Sequence, residues 1–213
     1  RKDGKEILFE GAQGALLDLD HGTFPFVTSS NASTLGMPAG SGVPGKMVEK
    51  FYGVCKAYTT RVGGGPFPSE QNNETGEKIR RRGNEYGTTT GRPRRCGWFD
   101  SVAVRYSAAI GGIDEIALMH LDTMAGFDNI KVCAAYLIDG KQTQFFPANS
   151  ARLAKAECVY ETLPGWQEDI TKTKKFEDLP ANARAYVELI EGLIERPVTM
   201  VGVGPARAQK IMR

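Results

Sequence analysis

The residues best suited to chemistry lie in one polar run, "GTTTGRPRRCGWFD", which begins at Gly87. Thr88, Thr89 and Thr90 offer three hydroxyls, Gly91 gives the backbone freedom, and Arg92, Arg94 and Arg95 carry planar guanidinium forks. Hydroxyls beside such forks make a socket for carboxylates, ribose hydroxyls and phosphates. Pro93 stiffens the chain between two of the arginines. A solvated linker, a nucleic-acid arm and an anion-gripping loop are the three readings of this run.

Other candidates are more dispersed. In "EIALMHLD", His120 and Asp122 sit at the carboxyl end of an apolar run that reads as a buried strand. Open α/β sheets bind ligands at that end, and a carboxylate there can accept two N–H bonds from a guanine edge. An Asp capping the next helix explains the same spacing equally well. "VGVGP" ends another strand with Gly202 and Gly204, which let backbone approach a planar ligand. "GSGVPGKM", Gly40–Met47, imitates a phosphate loop but places Met47 where magnesium needs Ser or Thr, and Pro44 removes an N–H donor. "DLDH" (Asp18, Asp20, His21) reads as a structural turn rather than a metal cluster. Arg80, Arg81 and Arg82 are adjacent, hence splayed, and read as a solvated run.

The elements that must position these residues follow from the rest of the chain. Its 213 residues, 41% hydrophobic and 24% charged, suit a globular protein with a sizeable core. A net charge of +2 provides no global field toward nucleic acid or membrane. Apolar runs fall short of a membrane span, and the opening "RKDGKE" lacks the apolar stretch of a signal peptide. Four scattered cysteines without a CxxC pair suggest reduced cytosolic thiols. Without an initiator Met, the chain reads as a piece of a longer one.

The patterning predicts a buried strand over Glu6–Gly14, a long loop over Asp18–Gly45, helical spacing through Val48, Phe51, Tyr52 and Cys55, and a strand at "AYTTRV". An irregular exposed region is expected over "SEQNNETGEKIRRRGNEYG". A helix capped by Asp100 or Ser101 should precede the "EIALMHLD" strand and stop at Gly111-Gly112. A hairpin at Asp139-Gly140, a strand at "CVYETLPGW", an amphipathic helix (Ala183, Tyr186, Val187, Ile190, Ile194) and a last strand "VTMVGVGP" complete the chain. The fold class is therefore α/β with a mostly parallel central sheet flanked by helices. Residues 1–129 belong to its core, 130–180 form a small β-rich subdomain, and 181–213 return to the core.

"FEGAQGALLDLDHGTFPFVTSSNAS", "TTRVGGGPFPSE", "GNEYGTTTGRPRRCGWFDSVAVRYS" and "YETLPGW" together resemble the adenylosuccinate synthetase (IMP–aspartate ligase) family, over about Gly4 to Arg207. The resemblance implies a phosphate-loop-NTPase-like ligase fold, here incomplete. It also implies a two-step reaction in which GTP phosphorylates the 6-oxo group of IMP and the amine of L-aspartate displaces the phosphate. Gln13, Thr28, Val62, Gly63 and Arg92 would hold IMP. Thr88, Thr89, Thr90, Gly91, Arg92 and Arg94 would close on aspartate. Arg94, His120, Leu121, Asp122, Gly202, Val203 and Gly204 would hold GTP. The family's pattern has lysine where this chain has His120, whose ring can stack on guanine instead.

The family's "GDEGKGK"-type phosphate loop, with its catalytic aspartate and Mg²⁺ ligand, and its histidine for phosphoryl transfer have no counterpart here. No catalytic and no metal residue is therefore assigned, and the 213-residue chain alone is expected to be inactive. The resemblance further implies a cytoplasmic homodimer with Mg²⁺ and GTP, without nucleic acid or membrane. An RNA-binding module built on the Arg80–Arg95 region and a non-catalytic nucleotide-binding homologue are the competing readings. The first would need aromatics between its arginines and more positive charge.

Overall fold

The computed structural model describes residues 3–88 and 91–213. Two sheets and a short ribbon organise them. After helix α1 (Gly36–Ser41), strand β1 (Tyr52–Lys56) opens the principal sheet, and β2 (Thr59–Arg61) follows at once. Helix α2 (Glu74–Arg82) leads to β3 (Arg95–Gly97), which pairs antiparallel with β2, and then to the two-residue β4 (Phe99–Asp100). Helix α3 (Ser101–Ile110) delivers β5 (Glu115–Met119). Strands β6 (Asn129–Ile138) and β7 (Lys141–Thr143) form a hairpin, and the short helix α4 (Ser150–Leu153) precedes β8 (Glu157–Pro164). Helix α5 (Ala181–Ile194), β9 (Val198–Gly202) and β10 (Lys210–Met212) end the chain.

The principal sheet runs β1-β5-β9-β10, with the first three strands parallel and β10 antiparallel. The second sheet centres on β6, flanked by β7 and β8 antiparallel and by β4 parallel. The expected α/β class with a mostly parallel sheet is what forms. Helix α5 buries Ala183, Tyr186, Val187, Ile190 and Ile194, the anticipated face, and the Tyr186 hydroxyl donates to Ala57 O at 2.6 Å. Each fully buried side chain of this size contributes roughly 1.5–3 kcal/mol. Asp100 caps α3 by accepting from Ala103 N at 3.1 Å. Asp139 and Gly140 both take positive φ, as a two-residue hairpin turn requires.

Three expectations fail for identifiable reasons. Residues 6–14 are neither strand nor buried: Leu8 is 88% exposed, because no described strand offers this segment a ladder. The spacing through Val48, Phe51, Tyr52 and Cys55 is not helical; residues 52–56 pair with Glu115–Met119 as β1, and helical spacing over so few residues coincided with a strand. The polar stretch before Gly87 contains α2. Asn73 caps it by accepting from Thr75 N and Gly76 N. Glu74 and Glu77 sit at its amino end and Arg80–Arg82 at its carboxyl end, matching the helix dipole, so the helix needs only Ile79 as a deep anchor.

Candidate active site

The site begins where parallel neighbours β5 and β9 end at the same edge of the sheet. His120 leaves β5 in the left-handed conformation (φ 62°), and Leu121, wholly buried, pins the turn that presents Asp122. The His120 ring meets Tyr58 edge-on, with centroids 5.9 Å apart. Burial and the Lys56 charge lower the His120 pKa, so the ring is neutral at pH 7. Asp122 Oδ1 is buried without a hydrogen-bond partner, and burial raises its carboxyl above the ordinary range. Across the edge, Val203 N donates to Gln209 O at 2.9 Å. A Cβ on Gly202 would lie 2.8 Å from Met119 Sδ, and one on Gly204 would lie 2.6 Å from the Gln209 side chain. His120, Leu121, Asp122, Gly202, Val203 and Gly204 thus form one group.

The arginine loop is folded on itself. Gly91 N donates to Gly87 O at 2.7 Å, Gly87 N donates to Arg92 O at 2.8 Å, and Tyr86 bridges Pro93. Thr88 and Arg92 are exposed; Thr89 and Thr90 lie outside the described residues. Below the loop, Glu85 is 1% exposed at its side chain and accepts from Lys56 Nζ at 2.6 Å, Tyr58 Oη at 2.6 Å and Arg94 Nη1 at 2.7 Å. Burial alone would raise the Glu85 pKa, but these three donors outweigh it and the net shift is downward. The same burial, with the adjacent Glu85 charge, drives the Tyr58 phenol up. Arg80 Nε donates to Arg94 O at 2.9 Å, so this arginine braces the loop instead of lying in a solvated run. Sequence reading missed both Glu85 and Arg80; the only available signal was a lone carboxylate between two basic runs.

The third group surrounds the long loop. Asp18, fully buried, accepts from Asp20 N, His21 N, Ala32 N and Ser33 N at 2.6–2.9 Å. Burial raises its pKa, yet the four backbone donors prevail and bring it to about 2. The structural reading of "DLDH" is correct. Thr28 Oγ1 donates to Leu17 O and Ser30 O at 3.2 Å, stapling the same loop. Arg61 joins that loop to the turn after β2: it donates to Thr23 Oγ1 at 2.8 Å, Phe26 O at 3.2 Å and Gly64 O at 2.8 Å. Val62 and Gly63 are exposed on that turn. Gln13 is exposed and makes no hydrogen bond among the described residues, so it is not drawn into any of the three groups.

Among the described residues, Asp100, Cys133 and Cys158 form a potential metal-ligand cluster, their donor atoms within 4.8 Å of one another. Two sulfurs and a carboxylate do not suit a hard cation such as Mg²⁺. The Asp100 oxygens are already engaged by Ala103 N and the Tyr136 hydroxyl at 2.7 Å, so the cluster is a hydrogen-bonded core feature. The phosphate-loop look-alike spans the end of α1 and a following turn, with no strand before it among the described residues. No helix among the described residues is long and apolar enough to cross a membrane.

Loops follow β5 and β9 at the carboxyl edge of a mostly parallel sheet, the place where open α/β sheets bind ligands. A family model described as adenylosuccinate synthetase matches residues 1–211, and the chain belongs to that family. It is 53% identical over 212 residues to the adenylosuccinate synthetase of Alkaliphilus metalliredigens (strain QYMF), covering 100% of this chain and 50% of that protein. Against that of Clostridioides difficile (strain 630), identity is 57% over 210 residues, 99% of this chain and 49% of the other. The chain spans about half the length of these curated relatives. Fully ligated adenylosuccinate synthetase from Plasmodium falciparum superposes with a TM-score of 0.96 at 41% identity, covering 100% of this chain and 51% of that one. A cyanophage S-2L succinoaminodeoxyadenylate synthetase, at TM-score 0.55 and 20% identity over 95% of this chain and 45% of that one, shares the fold.

Proposed function

We propose that this chain is the part of a GTP-dependent IMP–L-aspartate ligase that holds the guanine base, the aspartate and much of IMP. The reaction is the two-step formation of adenylosuccinate in purine nucleotide synthesis. The observation that carries this reading is Asp122 Oδ1, a buried carboxylate oxygen without a partner at the sheet edge. Leaving such an oxygen unsatisfied costs roughly 1–3 kcal/mol, and the N1–H and N2–H edge of guanine would supply the donors it lacks. In this reading Arg92, Arg94 and Thr88–Gly91 serve aspartate; Gln13, Thr28, Val62 and Gly63 serve IMP, and Arg92 serves both ligands. His120, neutral and ring-shaped, covers the flat of the base where the family pattern has lysine.

GTP is a co-substrate in this reading. Mg²⁺ belongs to the same reaction, but the one donor cluster described does not fit it, and no step here runs through the ion. A homodimer working in the cytoplasm is part of the same proposal.

The test is base selectivity in the full-length polypeptide. Asp122→Asn exchanges an acceptor for a donor, so guanine-nucleotide affinity should fall by about tenfold or more while xanthine-nucleotide affinity rises. Titration with both nucleotides measures this, and unchanged guanine selectivity would refute the base-reading role. An RNA-binding reading would instead require salt-steep RNA affinity with no response to IMP.

A further inference from the structure

The sequence motif assigns Arg95 no role, yet its guanidinium is fully engaged. It faces Glu70, with Nε donating to Oε1 at 2.7 Å and Nη2 to Oε2 at 2.5 Å, a bidentate fork. Its remaining arm, Nη1, donates to Gly63 O at 3.2 Å and Gly65 O at 2.9 Å. Gly64 O between them is held by Arg61 Nε at 2.8 Å, and Arg61 is the register partner of Arg95 across β2 and β3. Three successive glycine carbonyls therefore end on two arginines. Gly65 must be glycine: its φ is 98°, and a Cβ would lie 2.5 Å from Arg61 Nη2.

We infer that Arg95 is a positioning residue that fixes the Val62–Gly65 turn through the Gly63 and Gly65 carbonyls, with Glu70 holding its guanidinium in register. Rested on the proposed function, this makes Arg95 a determinant of IMP-ribose binding that never touches IMP. Four hydrogen bonds occupy the group, whereas adjacent Arg94 points to Glu85. The two adjacent arginines thus reach different anchors, Arg94 the buried Glu85 below the loop and Arg95 the Glu70 fork and the glycine turn. Glu70 itself bridges Gly97 on β3, so the fork and the strand are anchored at the same place. A lysine could not reproduce this arrangement, since an ammonium is a point donor without a planar fork.

The experiment uses Arg95→Lys in the full-length polypeptide, with Glu70→Gln as a milder second variant that leaves the carbonyl bonds available. IMP affinity should fall by about tenfold in Arg95→Lys and by less in Glu70→Gln, while guanine-nucleotide affinity stays within about twofold. Without ligand, amide hydrogen exchange should quicken in the peptide over residues 59–67 and stay unchanged in α5. A folded Arg95→Lys protein with unaltered IMP affinity and unaltered exchange would overturn the inference. Equal loss of both ligands would also overturn it, by making the residue a general fold determinant. If the wild-type protein binds no IMP, the proposed function fails, and the exchange measurement still decides whether Arg95 holds the turn.

Discussion

Two carboxylates closed to solvent behave oppositely: the donors of Asp18 outweigh its burial, and those of the more deeply enclosed Asp100 do not. Burial is the largest single influence on both, but four backbone N–H bonds together bring Asp18 down to about 2, while Asp100 rises to about 6 despite accepting from Tyr136 and Ala103. The folded protein therefore keeps a proton on Asp100 that the unfolded chain, with a carboxyl near 3.8, releases sooner. Stability from this residue is complete below pH 3.8 and declines as pH rises toward about 6. Asp100→Asn keeps the cap acceptor without the titration, so its melting temperature should vary less with pH across that window; thermal unfolding at stepped pH checks it. Little of this was legible beforehand. Asp100 was readable as a cap from the "DSVAV" that follows it, and Asp122 from its place after an apolar strand. Glu85 and Glu70 were not, because a carboxylate's partners lie far off in the chain.

At the level of elements, legibility followed hydrophobic contrast. Helix α5, β5 and β9 announce themselves by apolar periodicity, and each lies where its pattern says. Helix α2 is the opposite case, since its stability is terminal: one cap, charges matched to the dipole and a single buried isoleucine. Asn73→Ala should therefore cost about 1 kcal/mol, and chemical denaturation measures it. The effect should reach the arginine loop, because Arg80 on the last turn of α2 holds Arg94 O. The segment 6–14 failed for a different reason: apolar residues can mark a strand, but a ladder needs a neighbour, and neighbours are not written in the local sequence.

Across the whole molecule, the principal sheet has one poorly covered flank. On β1, Tyr52 and Val54 project from the same face, and Val54 is 74% exposed. Parallel strands are usually covered on both faces, so an exposed valine here favours self-association of the 213-residue chain. Val54→Lys should lower light scattering by that chain at a given concentration with little change in melting temperature. Equal scattering from both proteins would place the adhesive surface elsewhere. The sheet order itself was not readable from pattern alone, since β1, β5 and β9 are separated by long stretches and adjacency is a property of packing.

The loop that Asp18 gathers has a consequence for variation. Its four donors are main-chain amides, so the side chains of Asp20, His21, Ala32 and Ser33 contribute nothing to that particular set of bonds. The residues at 20, 21, 32 and 33 can be exchanged without touching those four bonds, whereas Thr23 and Thr28 hold the loop through their own hydroxyls and Gly22 has no room for a Cβ. At those four positions, surface chemistry is uncoupled from the bonds that Asp18 makes.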